Sequence, residues 1–521
     1  MNVFHRLLTI GVMLIGVLIP NTHAQTPPNV LIVGQIAEPK SLDPQAVTAV
    51  NDFRILMNVY EGLVRYKNGA LEVEPALATD WTISEDGKTY TFSLREGVKF
   101  HDGSRFDAEA VKFNFDRMLD ENHPYHNTGP FPLSFFFSAI ENVKVVNSNT
   151  VEFTLNAPYA PYAPFLSNLA YPTGLIVSPD AVKKHKKDFG RHPSGTGAFK
   201  FAEWESNAKV VVVNNGDYWG EKAKLEAVVF RPITDANTRV AEMLAGSLDI
   251  MVEVPPNALA EFNSDRFSVE QQAGPHVWFL ILNAKEGPFA DKRVRQAANY
   301  AINKKALVEN VLEGTAEVAA GPTPPAFAWA YNESLEPYPY NPEKAKALLK
   351  EAGVEGAKLT FYVTEGGSGM LDPIPMGTAI QADLKAVGLD VSIETYEWNT
   401  FLGKVNPGLE GKADMAEMAW MTNDPDTLPY LALRTQAWPD KGGFNSGYYS
   451  NPEVDKLLNA ARESTVLAER AKLYKEMQKI VQEDAPWVFV ANWKQNAVTS
   501  SAVNDFALQP SFFLLLNNVS K

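Results

Sequence analysis

Cysteine is absent from the chain. That excludes disulfides, thiolate metal centres, cysteine nucleophiles and a lipid-modified N-terminal cysteine in one step. Positive charge is in short supply: Lys and Arg number 47 against 62 Asp and Glu, for a net charge of −15. Phosphate backbones need a positive field, so nucleic acid is not an expected partner. After the first two dozen residues no apolar run reaches the roughly 20 residues that cross a bilayer. Internal repeats, low-complexity tracts and long blocks of like charge are missing as well. Histidine is sparse, eight in all. What remains has the composition of ordinary folded protein, 45% hydrophobic, 21% charged and 11% aromatic over 521 residues. On a prior of about 150 residues per domain, that length means two to four domains.

The first residues stand apart. His5 and Arg6 precede an apolar run from Leu7 to Ile19, which Pro20 and Asn21 end. Thr22-His23-Ala24 then offers a small-x-small cleavage site. A basic start, a short apolar middle and a terminal Ala make residues 1–24 a secretory signal peptide. Cleavage would begin the mature chain at Gln25. It removes Arg6 and no acid, so the mature protein is one unit more acidic.

Beyond Gln25 short strands alternate with helices. Asn29–Gln35 is a short apolar strand. Thr89–Leu94 places Tyr90, Phe92 and Leu94 on one face, the period of a strand. Val143–Leu155 reads as a hairpin turning at Asn147-Ser148-Asn149. Asp52–Val64, Asp107–Leu119 and Asn237–Leu244 carry helical spacing. Ala157–Pro172, rich in Pro and Tyr, reads as an ordered loop or short helix. His276–Asn283 is a strand, and Lys292–Ile302 begins a helix. Pro342–Ala352 is a helix with Pro in its first turn and Gly353 at its C-cap. Leu359–Thr364, Asp390–Glu397 and Ala416–Trp420 are strands, with a helix at Met376–Val387 between the first two. Pro452–Arg462 and Val466–Asp484 are amphipathic helices, and Trp487–Asn492 is a final apolar strand. The alternation predicts an α/β fold with mostly covered sheets.

Catalytic motifs fail. No G-x-G-x-x-G or G-x-S-x-G stretch occurs. Gly87-Lys88-Thr89 has the end of a phosphate loop, but the required earlier Gly is Thr82, and the triplet sits between two strands as a hairpin turn. His123-Pro124-Tyr125-His126 pairs two imidazoles without helical register or a neighbouring acid, the pattern of a solvent loop rather than a metal site. Asp424 and Asp426 form an acid pair with no nucleophile near in sequence. An extracytoplasmic hydrolase using that pair is the alternative of a different class.

Several segments together resemble the extracellular solute-binding proteins of family 5, the receptors of peptide, nickel and related ABC importers. Leu77-Ala78-Thr79-Asp80-Trp81 and the run from Ser84 to Gly103 carry the resemblance first. It continues through Gly195–Lys200 (with Ala198 where the family has Pro), Asp217-Tyr218-Trp219-Gly220, Gly246–Ile250, the Asn283 to Ala297 block and the Tyr340 to Gly353 block. It spans about Val33 to Pro510. The resemblance implies a type II periplasmic binding protein fold: two lobes, a hinge, and a subdomain inserted in the first lobe. Lobe I is expected over residues 25–273 with 491–521, its insertion over about 60–191, and lobe II over 274–490. The crossovers near Ala273-Gly274 and Val490-Ala491 would be the hinge. The resemblance further implies a monomer without cofactor or bound metal. It would deliver a peptide or peptide-like solute to ABC permease subunits in the inner membrane. An exported receptor with no lipid tether is retained only inside an outer membrane, which points to the periplasm. A nickel chelate, glutathione or another small solute is the alternative ligand.

In peptide-binding members an acid three residues after the second-lobe tryptophan holds the ligand's amine. Here that position is Asn423, so Trp420 is followed by a shifted acid, Asp424, which becomes the expected amine anchor. Asn423 and Asp426 are candidate ligand residues beside it, with capping of the turn that follows as the alternative for Asp426. Dipeptide-binding members carry an Arg before the helix that corresponds to Met376–Val387, and the segment from Met370 to Pro375 has none. The loop Glu365–Met370, including Ser368, Gly369 and Met370, offers backbone N–H groups to an anion instead. Trp398, Trp420, Phe444 and Tyr448 are expected to pack against ligand side chains. Arg293 and Arg295 fall on a helix where structural salt bridges are expected.

Overall fold

The computed structural model describes residues 26–156, 164–367, 369–422, 424–464 and 466–521. The segment expected to be a signal peptide, the first part of the Pro- and Tyr-rich stretch, Ser368 and Asn423 lie outside the described residues. In the first half of the chain, Val30–Gln35 runs parallel to Ala227–Pro232 on one side and to Ile250–Val252 on the other. Lys209–Asn214 and Phe199–Glu205 extend this sheet antiparallel. In the second half, Lys358–Thr364 runs parallel to both Asp390–Tyr396 and Met415–Met421. Met415–Met421 then pairs antiparallel with His276–Leu282, all of whose residues are buried. A strand covered on both faces loses the alternation of a half-exposed sheet, which is why Val277–Leu282 is continuously apolar.

One strand joins the halves. Trp487–Ser500 is 14 residues long. Its first part pairs with His276–Leu282, and its second part pairs with Phe267–Ala273 and Ile250–Val252. The sequence predicts a strand ending at Asn492, because Asn492, Lys494, Gln495 and Asn496 interrupt the apolar pattern. The strand instead runs on, and the polar side chains serve the backbone where the chain passes between lobes. Asn492 Nδ2 donates to the carbonyl of His276, and Asn496 accepts from Val254 N while donating to Val254 O. The second passage is Ala273-Gly274. A Cβ at Gly274 would lie 2.7 Å from the Phe512 ring, so glycine is required there by close packing.

The insertion is a four-stranded antiparallel sheet, ordered Ala78–Ile83, Thr89–Leu94, Thr150–Leu155, Ile140–Asn147. The hairpin turn at Gly87 and the strand pair around Asn147 match expectation. The helix Ala108–Leu119, capped by the Asp107 side chain, covers the sheet. Phe92, Phe115, Phe137, Phe153 and Phe165 meet edge to face in its core. Each such side chain contributes about 1.5–3 kcal/mol on burial. The insertion is tied to lobe I by Arg117, fully buried and paired with Asp43. Glu61 adds a second tie, accepting from Thr196, Tyr218 and Trp219.

The remaining expectations hold with small shifts. The helix Pro342–Ala352 ends at Gly353 in the left-handed region. The helix predicted from Met376 starts earlier, over Pro373–Ala386, because the two prolines fit its first turn. On the helix Lys292–Ala301, Arg293 pairs with Asp291 and Glu351, and Arg295 donates to the carbonyls of Phe289, Ala290 and Asp484. Neither arginine faces the cleft. His123 and His126 are used locally, by Tyr125 N and the Arg117 carbonyl.

Candidate ligand-binding site between the lobes

Both halves of the sheet aim the carboxyl ends of their parallel strands at one space. Ile36 follows Val30–Gln35, and Glu253 follows Ile250–Val252. Across the gap, Gly367 and Gly369 follow Lys358–Thr364, Trp398 follows Asp390–Tyr396, and Trp420 and Met421 end Met415–Met421. Side chains that follow strand ends in this way converge on the crevice of an open α/β sheet. The result is a cavity of about 610 Å³ lined by residues of both lobes.

Lobe I supplies the polar wall: Lys40, Thr48, Asn51 and Glu253, with Ile36, Val50, Tyr171 and Phe512. The segment before Lys40 is held by the helix Val50–Val59. Asp52 Oδ1 accepts from Lys40 N at 2.7 Å, and Asn51 Nδ2 donates to the Glu38 carbonyl. Burial pushes the Asp52 carboxyl up to about 7, against the pull of the Lys40 N–H. Its other oxygen is buried and without a hydrogen-bond partner among the described residues. Lys40 itself is exposed at the mouth.

Lobe II supplies an apolar and aromatic wall: Trp398, Leu402, Met418, Ala419, Trp420, Met421 and Phe444, with Trp493 from the joining strand. Trp398 stacks on Phe401 at 5.8 Å, and Trp420 meets Phe444 edge to face at 5.5 Å. Phe444 also reaches Phe135 of the insertion, at 6.1 Å. His276 fixes the glycine loop. Its Nδ1 accepts from Trp493 N, so Nε2 carries the proton and donates to the Gly369 carbonyl at 2.7 Å. Burial lowers this imidazole to about 4, which keeps it neutral at ordinary pH. Gly369 has φ +75, a conformation that glycine adopts without strain.

Of the residues expected at the site, Trp398, Trp420, Phe444 and Gly369 come together here. Met370 packs into the lobe II core behind the loop. Tyr448 stands apart, against Trp438 and beneath the Lys285 ammonium. Asp424 lines a neighbouring cavity of about 450 Å³ with Leu71, Gln272 and Trp329. The roles expected of the two acids are corrected. Asp424, not Asp426, caps the turn: Oδ1 accepts from Asp426 N and Thr427 N, and Oδ2 from the Thr427 hydroxyl. Asp426 is buried in the lobe, accepting from Tyr474 and facing Arg462. Both oxygens of Asp424 already accept from the chain itself, while the residue also borders the neighbouring cavity. Burial, then the neighbouring Asp426, raises its carboxyl.

The family model for bacterial extracellular solute-binding proteins, family 5, matches residues 72–441. The chain belongs to this family. Heme-binding protein A of Haemophilus influenzae is 36% identical over 87% of this chain and 85% of that protein. The dipeptide-binding protein of Escherichia coli is 32% identical over 87% of each. In structure, the chain is similar to the ABC transporter-associated periplasmic binding protein DppA of Helicobacter pylori in complex with the peptide STSA. That match has TM-score 0.81 and 34% identity, and covers 94% of this chain and 98% of the other. Members of the family are solute-binding proteins. Among the described residues no helix is long and apolar enough to cross a membrane.

Family 5 membership leaves the lobe I wall to be read from the fold. Ile36, Lys40, Asn51, Glu253, His276 and Trp493 were not singled out as ligand residues from the sequence. Ile36 was within reach, since it follows the first predicted strand. Glu253 was not: its strand has three residues and no legible period.

Proposed function

We propose that this chain is the periplasmic receptor of an ABC importer and that its lobes close on a peptide or peptide-like solute with apolar side chains. The interlobe cavity carries this reading. Its volume of about 610 Å³ falls within the range of small-molecule sites, about 300–1,000 Å³. That suits a short peptide and not a long one. Side chains entering the Trp398, Trp420 and Phe444 wall gain about 25 cal/mol for each Å² of apolar surface removed from water. The dipeptide-binding relative and the STSA-bound neighbour agree with a peptide. Export by residues 1–24 brings the mature, untethered monomer to the permease subunits of the inner membrane.

Native mass spectrometry of the secreted protein tests the reading. The expected result is a chain beginning at Gln25 that releases a short peptide on denaturation. Release of heme, glutathione or a nickel chelate overturns the peptide and leaves the receptor. An uncleaved chain in the membrane fraction overturns export. Small-angle scattering with a saturating dipeptide should give a smaller radius of gyration, and an unchanged radius overturns closure.

A further inference from the structure

The lining of the interlobe cavity contains a single acid among the described residues, Glu253. It stands at the carboxyl end of Ile250–Val252, which runs parallel to Val30–Gln35, at the crevice where the two strands deliver their following residues. Its backbone is strained. Glu253 has φ +53, a left-handed conformation that side chains other than glycine adopt at a cost. The neighbours hold it there. Glu253 N donates to the Asn496 carbonyl, and the Asn496 side chain both accepts from Val254 N and donates to Val254 O. A residue locked in an unfavourable conformation at a cleft is a candidate for function.

The side chain is fixed as firmly. Arg54 is 2% exposed, and its Nη2 donates to Glu253 Oε1 at 2.6 Å. Arg54 is aimed in turn by its Nε, which donates to the Phe512 carbonyl. The second oxygen of Glu253, Oε2, has no hydrogen-bond partner among the described residues. The side chain retains 22% of its exposure, toward the cavity. A carboxylate oriented by a buried arginine, with one oxygen free, is built to accept a hydrogen bond from a cation. Asp424, on the neighbouring cavity, already accepts from the chain on both oxygens.

We propose that Glu253, clamped by Arg54, receives the ammonium group of the ligand and so selects solutes with a free amine. This inference rests on the peptide-like reading above and names the group that reads one end of the solute. Closure of the lobe II aromatic wall over that ammonium removes water and strengthens the contact.

The test uses Met-Leu, N-acetyl-Met-Leu and Met-Leu amide, titrated calorimetrically into the mature protein. Wild type should prefer Met-Leu over its N-acetyl form by about tenfold or more. Glu253→Gln should lose about tenfold or more toward Met-Leu and Met-Leu amide, and less than about twofold toward N-acetyl-Met-Leu. A loss equal for all three probes means a structural role and overturns the proposal, as does a Glu253→Gln variant that binds Met-Leu like wild type. If wild type binds none of the probes, the peptide reading falls and this one with it. Glu253→Gln leaves Arg54 buried and unpaired, so a variant that does not fold is replaced by a crystal structure of wild type with Met-Leu. The ammonium is expected on Glu253 Oε2, and an ammonium held elsewhere overturns the assignment.

Discussion

The two walls of the cleft are built from opposite chemistry. Lobe I contributes both charged lining residues, Lys40 and Glu253, while the lining tryptophans come from lobe II and the joining strand. The titratable groups behind the walls differ in the same sense. Behind the lobe I wall Asp52 is an acid whose charge is suppressed by burial, and behind the lobe II wall His276 is a base whose charge is suppressed by burial. A cleft organised this way reads polarity with one lobe and shape with the other, and a complete site exists only when the two are brought together.

Asp52→Asn should have the largest effect, on stability at high pH. The folded carboxyl sits at about 7, above the 3.8 of the free group, so the stability it contributes is present at low pH and lost as pH rises toward 7. The amide removes that loss. Chemical denaturation at pH 8 should show the variant more stable than wild type by about 2–4 kcal/mol, with the gain shrinking toward pH 4. A gain independent of pH would break the contrast on the lobe I side.

His276→Gln tests the other wall. The folded imidazole lies at about 4, below the free value of 6.5, so its contribution is present above pH 6.5 and lost as pH falls toward 4. Wild type should lose about 2–3 kcal/mol over that interval from this group, and the glutamine variant should show a correspondingly flatter acid limb. Thermal melts from pH 4 to 7 decide it.

Trp420→Ala sharpens the assignment of shape recognition to lobe II. Loss of a buried aromatic anchor should weaken Met-Leu binding by about 30-fold, near 2 kcal/mol. Thr48→Ala, on the opposite wall, should change affinity by less than about threefold. Equal effects would mean that the walls do not divide the work.

The smallest effect is expected at Asp424. As a turn cap its loss in Asp424→Ala should reduce stability by about 1 kcal/mol in urea unfolding and leave Met-Leu affinity within about twofold of wild type. A large affinity loss confined to ligands with a free amine would restore it as the anchor and displace Glu253.

How far the sequence reached depends on the range of the force involved. The helix Pro342–Ala352, its Gly353 cap and the hairpins around Gly87 and Asn147 rest on interactions within a few residues, so they were legible. The aromatic wall was legible in part, because Trp398, Trp420 and Phe444 are large, and the two tryptophans fall at or just after strand ends. The exchange between Asp424 and Asp426 was not legible. Either aspartate can cap a turn, and which one does so depends on Tyr474 and Arg462, far along the chain.

By itself the amino-acid sequence determined the α/β alternation, the absence of thiol chemistry and the family resemblance, since each is written in composition, local period or contiguous motif. Only the tertiary structure decided three other features. It continued Trp487–Ser500 through a polar stretch, because Asn492 and Asn496 satisfy backbone groups at the passage between lobes. It set Glu253 in a left-handed conformation against Arg54, residues 199 positions apart. It also closed one cavity from strand ends belonging to the two halves of a sheet that Trp487–Ser500 joins. Each depends on contacts between distant segments, whose geometry exists only after the chain has packed.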